Sequence, residues 1–170
     1  MGSSSDSYAI VLGNLGLVLE DLGRFADAEK LHRQALMISE QTIGNQHPLH
    51  ALRLANFASS LQRLGRPMEA ERYLRSALFI DENSIGKEHP TYASRLNLLA
   101  IALGGQGKFT EAEVLLREAL QIEWDANRDE RPVYAVRLDL SRNCSASLTW
   151  YFAEKEKRHG ITDTHTRISR

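Results

Sequence analysis

Three segments of this chain are one segment written out at intervals of 42 residues. LGRFADAEKLHRQALMISEQTIGNQHP runs from Leu22 to Pro48, LGRPMEAERYLRSALFIDENSIGKEHP from Leu64 to Pro90, and QGKFTEAEVLLREALQIEWDANRDERP from Gln106 to Pro132. The same residue returns at Leu12, Leu54 and Leu96, at Leu19, Leu61 and Leu103, at Gly23, Gly65 and Gly107, at Ala28, Ala70 and Ala112, at Ala35, Ala77 and Ala119, and at Ile38, Ile80 and Ile122. A fixed period of this length confines the chain to a tandem array, in which each unit is one supersecondary element that buries its apolar face only by stacking on the next.

The unit is a pair of helices. Ile10, Val11, Leu12, Leu15, Leu17, Val18, Leu19 and Leu22 fall at helical spacing and predict a first helix from about residue 6 to 22. Gly23 supplies the left-handed backbone position that ends it. A second helix is predicted from Phe25 to about Gln41, with Ala28, Leu31, Ala35 and Ile38 along one stripe whose alanines allow close approach. Asp27 and Glu29, with Glu69, Glu71, Glu111 and Glu113 at the matching places, read as acids at the positive end of a helix dipole. Thr42 to Pro48 is a linker, with Gly44 near the end of one helix and Pro48 in the first turn of another. The later helices are predicted at 48–63, 67–83, 90–104 and 109–125.

The array decays at its end. Pro132, Ala135, Arg137 and Leu138 keep the register, but Ser141, Arg142 and Ser145 replace apolar counterparts, Thr149 stands in place of the hinge glycine, and the alanines become Glu154 and Ile161. A terminal unit with a polar outer face stops further stacking. The expected organisation is an expression scar, disordered, over residues 1–6, where Met1 to Ser5 reads MGSSS; three units over 7–131, at about 7–47, 48–89 and 90–131; a degenerate fourth-repeat capping helix over 132–158; and a polar tail over 159–170.

Composition narrows the classes of partner. Over 170 residues, 21 basic and 22 acidic side chains leave a formal charge of -1, which gives no electrostatic footing for nucleic acid or an anionic membrane. A protein or peptide ligand is the expectation. Cys144 is the only cysteine, so one chain can build neither a disulfide nor a thiolate zinc site, in keeping with a cytoplasmic setting. No apolar run reaches the length of a membrane span.

The units resemble the tetratricopeptide repeat, through Leu54, Phe57, Ala58, Leu61, Gly65, Ala70, Leu74 and Ala77 of the middle copy and their counterparts 42 residues to either side. The AE-x-L-x-x-x-AL-x-I block and the G-x-x-HP linker, Gly44 to Pro48 and Gly86 to Pro90, are similar to the repeats of kinesin light chains. Similar repeats also occur in sensor arrays attached to nucleotide-binding switch domains. Nothing here resembles the heptad region of a kinesin light chain, so a motor-adaptor role does not follow. The resemblance covers about Tyr8 to Tyr134 and implies an all-α, right-handed α-solenoid of antiparallel helix pairs, with the first helices lining a concave groove that holds a peptide.

Family position puts Asn14, Leu17, Leu52, Asn56, Ser59, Gln62, Arg63, Ser94, Asn97, Leu98 and Ile101 on the groove side. Asn14 and Asn56 match an asparagine that relatives use to bind a ligand backbone, and Asn97 lies one residue earlier, at another frequent asparagine site. An amide can both donate to and accept from an extended peptide, although polar residues on an exposed helix face also occur without any ligand. The basic clamp that some relatives use for acidic tails would need Lys or Arg where Gly13, Leu52, Ala55 and Ser94 stand. Arg53, Arg95 and Arg137 form a further ladder, read either as a basic stripe or as junction residues paired with acids such as Glu40 and Glu82 of the preceding helix.

No catalytic constellation stands out, and neither enzymatic activity nor a cofactor is expected. Gly104 to Thr110, GGQGKFT, lacks the full phosphate-loop spacing and follows a helix, so it reads as a turn. His47 and His89 sit in equivalent linkers about 20 Å apart if each helix is about 10 Å across, which rules against a shared metal. His32, His50, His159 and His165 show no metal spacing. Trp150, Tyr151 and Phe152 either cap the last repeat or form a patch through which a homodimer assembles. The alternative to a peptide-binding module is therefore a structural or oligomerisation segment of a larger multidomain protein, such as a sensor or scaffold.

Overall fold

The computed structural model describes residues 2–126, which form six helices: α1 (Gly2–Asp21), α2 (Phe25–Thr42), α3 (Pro48–Arg63), α4 (Pro67–Ser84), α5 (Pro90–Gly104) and α6 (Phe109–Ala126). No strand occurs among the described residues. Each odd-numbered helix packs along the helix that follows it, α2 packs on α3 and α4 on α5, and α3 touches both α1 and α5. Over the described residues the architecture is the all-α solenoid of antiparallel helix pairs that the resemblance implies. The expectations for 132–158, for 159–170 and for Trp150, Tyr151, Phe152, Arg137 and Cys144 lie outside the described residues.

Two local devices, repeated, set this path. Within a pair, Gly23, Gly65 and Gly107 take φ of 75°, 75° and 80°, a region costly for any residue with a Cβ. The left-handed step lets the next amide turn back onto the helix end: Arg24 N donates to Leu19 O at 2.8 Å, Arg66 N to Leu61 O at 2.9 Å and Lys108 N to Leu103 O at 2.9 Å. Between pairs, the imidazole of His47 accepts from the amide of Leu49, and that of His89 from Thr91, both at 3.1 Å. Each histidine is the N-cap of a helix whose first residue is proline. The linker histidines thus have a capping role that sequence spacing did not reveal.

Burial follows the ladder. Ala28, Ala70 and Ala112, with Ala35, Ala77 and Ala119, are all buried, so helices of a pair meet over their small residues. Leu61, Leu74, Leu99 and Leu103 are the largest fully enclosed apolar side chains, each contributing about 1.5–3 kcal/mol by leaving water. The main core runs through α3 to α6, with smaller clusters at α2/α3/α4 and at α1/α2.

Four sequence expectations change in detail. The first helix starts at Gly2, ahead of residue 6, and Asp6 accepts from Arg53 Nη2 at 2.7 Å, which ties the segment read as a scar to α3. Arg53 and Arg95 are indeed buried at the junctions, but their acids are Asp6 and Asp81 rather than Glu40 and Glu82; Arg95 Nε lies 3.2 Å from Asp81 Oδ2. Glu82 instead pairs with Lys87 at 2.9 Å. Glu29 and Glu71 do more than favour a helix start. Glu29 meets Arg66 at 3.1 Å, and Glu71 meets Gln106 at 2.7 Å and Lys108 at 3.2 Å, so each carboxylate ties one pair to the turn of the next. Finally, Ile10, Val11, Leu15, Leu17 and Val18 of α1 and Leu22 just after it are exposed, and only Ala9, Leu12 and Leu19 of the helix's larger apolar residues are buried.

Candidate binding face on the first helices

Side-chain braces between the first helices determine which residues of that face remain available. Glu20, on α1, accepts from Ser59 Oγ at 3.1 Å and from Ser60 Oγ on α3, and its Oε1 lies 3.5 Å from His32 Nε2 on α2. Burial pushes the Glu20 carboxyl up, but His32 and the two hydroxyls outweigh it and hold the group below the ordinary carboxylate range. Gln62 Nε2 donates to the carbonyl of Leu98 at 2.8 Å, joining α3 to α5. The guanidinium of Arg63 stacks 4.9 Å from the ring of Phe25. Three residues expected to face a ligand, Ser59, Gln62 and Arg63, therefore also have partners within the scaffold, and Arg63 stays exposed.

The rest divide by exposure. Asn14, Leu52, Ser94 and Asn97 are exposed, and Asn56, Leu98 and Ile101 are half-buried. Ser94 donates to its own helix at Pro90 O, 3.2 Å away, and Leu98 packs on the main core. Leu17 and Leu52 each keep 43% of their surface in solvent. What remains open along α1, α3 and α5 is a row of amides, Asn14, Asn56 and Asn97, interleaved with apolar Leu17, Leu52 and Ile101. Such a row offers hydrogen bonds to a peptide backbone and apolar contact to its side chains.

The polar interior between pairs is structural. Ser39 Oγ and His50 Nδ1 lie 2.8 Å apart in a buried contact, and burial, against an opposing pull from Glu40, moves the His50 imidazole below its usual value, favouring the neutral ring. Asp81 is pushed up by burial, with Arg95 working against it. In the segment that superficially resembles a phosphate loop, Gly107 is the turn glycine and Lys108 is taken by Glu71. Among the described residues no three His, Cys, Asp or Glu side chains gather as a metal site, and no helix is long and apolar enough to cross a membrane.

Comparison with known proteins bears on the same architecture. A family model for the tetratricopeptide repeat matches residues 7–78 and 51–122. Two crystal structures of a Podosopora anserina protein described as having kinesin light chain nearly identical TPR-like repeats, one of them a variant, are 24% and 25% identical with TM-scores of 0.63 and 0.61. Each alignment covers 73% of this chain, which spans 59% and 60% of theirs. BtubC (BKLC) from P. vanneervenii is 19% identical, with a TM-score of 0.69 over 98% of this chain and 69% of that one. No curated protein matches the chain.

Proposed function

Because this chain belongs to the tetratricopeptide repeat family, with repeats of the kinesin light chain kind, we propose that it is a non-enzymatic module that binds a peptide or a partner protein along the concave side lined by α1, α3 and α5. One observation carries the reading: the first helices, braced to one another through Glu20 and Gln62, leave leucines and asparagine amides open in a row on a pre-formed surface. Preorganisation lowers the ordering cost of binding, and the amides let an extended backbone be held with little demand on its sequence.

The proposed partner is a protein rather than nucleic acid or membrane, because the chain is nearly neutral and its open row carries more amide than charge. The proposed setting is the cytoplasm, on the strength of a single cysteine.

A peptide selected from a random displayed library against the intact chain supplies the probe, and titration calorimetry reads its affinity. The Asn56→Ala/Asn97→Ala chain is expected to bind that peptide at least about tenfold more weakly, the equivalent of two modest hydrogen bonds. Phe79→Ala, an exposed residue of α4, should bind as the parent does. Equal affinity for the asparagine variant and the parent would remove the first helices from the site.

A further inference from the structure

Four of the exposed apolar residues of α1, with Leu22 just after it, fall in one line. Tyr8, Val11, Leu15, Val18 and Leu22 recur at intervals of three and four and make one straight stripe about 21 Å long at 1.5 Å per residue. They are 57%, 61%, 48%, 53% and 67% exposed. Add 42 to each number and the residues are His50, Arg53, Phe57, Ser60 and Leu64; add it again and they are Tyr92, Arg95, Leu99, Ala102 and Gln106. In α3 and α5 the first four of these positions are buried, and the fifth is half-buried. The stripe on α1 is thus the position at which α3 and α5 each receive the helix before them.

A helix of the α2 or α4 kind does not suit it. Those helices carry buried Ser39 and Asp81 into the junction, where His50 and Arg95 answer them. At the Arg95 position α1 has Val11, which cannot pair with a carboxylate. An occupant that is itself a plain apolar stripe does suit, and the chain contains one.

We propose that the outer face of α1 seats a second copy of this chain, α1 packing antiparallel on α1. A two-fold axis at Leu15 brings Val11 beside the partner's Val18 and Tyr8 beside the partner's Leu22, so the stripe is its own complement. Five side chains with on the order of 100 Å² each in solvent, counted on both copies, remove roughly 1,000 Å², close to the lower bound for a specific interface. The pairing uses none of the peptide-face residues Asn14, Leu17, Leu52, Asn56 and Asn97, and it does not depend on whether that face has a ligand.

Sedimentation equilibrium of the full chain is the test. The parent is expected to be a dimer at tens of micromolar, and Val11→Arg/Val18→Ser a monomer with association weakened more than a hundredfold. Arginine and serine are the residues α3 itself carries at these positions, so circular dichroism should show an unchanged helix content. Leu15→Cys in a Cys144→Ser background should cross-link two copies under mild oxidation, whereas Met37→Cys in that background should not. A monomeric parent overturns the proposal. So does a dimer that survives Val11→Arg/Val18→Ser, or one that is lost on Trp150→Ala/Phe152→Ala while the α1 stripe is intact.

Discussion

Gly16 and His32 form a pair whose exchange has a calculable outcome. A Cβ on residue 16 would lie 2.5 Å from Cε1 and 2.6 Å from Nε2 of His32, whose ring is 1% exposed and has nowhere to withdraw. The same pair is Ala58 with Leu74 in the second unit and Ala100 with Leu116 in the third. Gly16→Ala gains about 1 kcal/mol of helix propensity but overpacks a closed site at a cost of about 1–3 kcal/mol. Moving the ring also breaks its contact with Glu20, about 1 kcal/mol more, so the variant should be about 1–3 kcal/mol less stable than the parent. In a His32→Leu background the clash disappears, and the same substitution should stabilise by about 0.5–1 kcal/mol. Urea denaturation followed by circular dichroism on the parent, both single variants and the double variant gives the coupling, expected at about 1.5–4 kcal/mol. A Gly16→Ala chain as stable as the parent, or a coupling below about 0.5 kcal/mol, would refute the idea that the first unit accommodates its histidine by omitting a methyl group.

Two further outcomes follow from the junctions. Glu71 is raised by burial but lowered more by Gln106, Arg75 and Lys108, to about 2 from about 4.5 in the unfolded chain. Its contribution is therefore fully present above about pH 4.5 and lost as pH falls toward about 2, and Glu71→Gln should flatten that limb of a stability-against-pH curve measured by urea midpoints. Asp81→Ala should cost about 3–5 kcal/mol by leaving Arg95 charged and unpaired in the interior, whereas Asp81→Leu with Arg95→Met should unfold near the parent midpoint.

Much of the fold was legible because it is repeated. Gly23, Gly65 and Gly107 mark three reversals, Pro48, Pro67 and Pro90 mark three starts, and the helix bounds from sequence agree with those observed within about a residue beyond α1. What sequence could not separate was the use of residues on one face. Ser59 and Gln62 look like their exposed neighbours in a one-letter string, yet one meets Glu20 from 39 positions earlier and the other meets Leu98 from 36 later. The same limit hid Asp6, whose partner Arg53 is 47 positions away. The caps at His47 and His89 could have been found, since both linkers place a histidine directly before the proline that opens the next first helix, which is a cap position. The exposed stripe on α1 was legible as apolar periodicity but not as exposure, because periodicity shows that a face is apolar, and neighbours determine whether it is covered.

The claim that the first helices hold the ligand is most directly tested by amide chemical-shift mapping of the intact chain as the selected peptide is added. The account predicts that perturbations gather at Asn14, Leu17, Leu52, Asn56 and Asn97 on α1, α3 and α5. Perturbations centred on Met37 and Phe79, on α2 and α4, with the first helices unmoved, would contradict it.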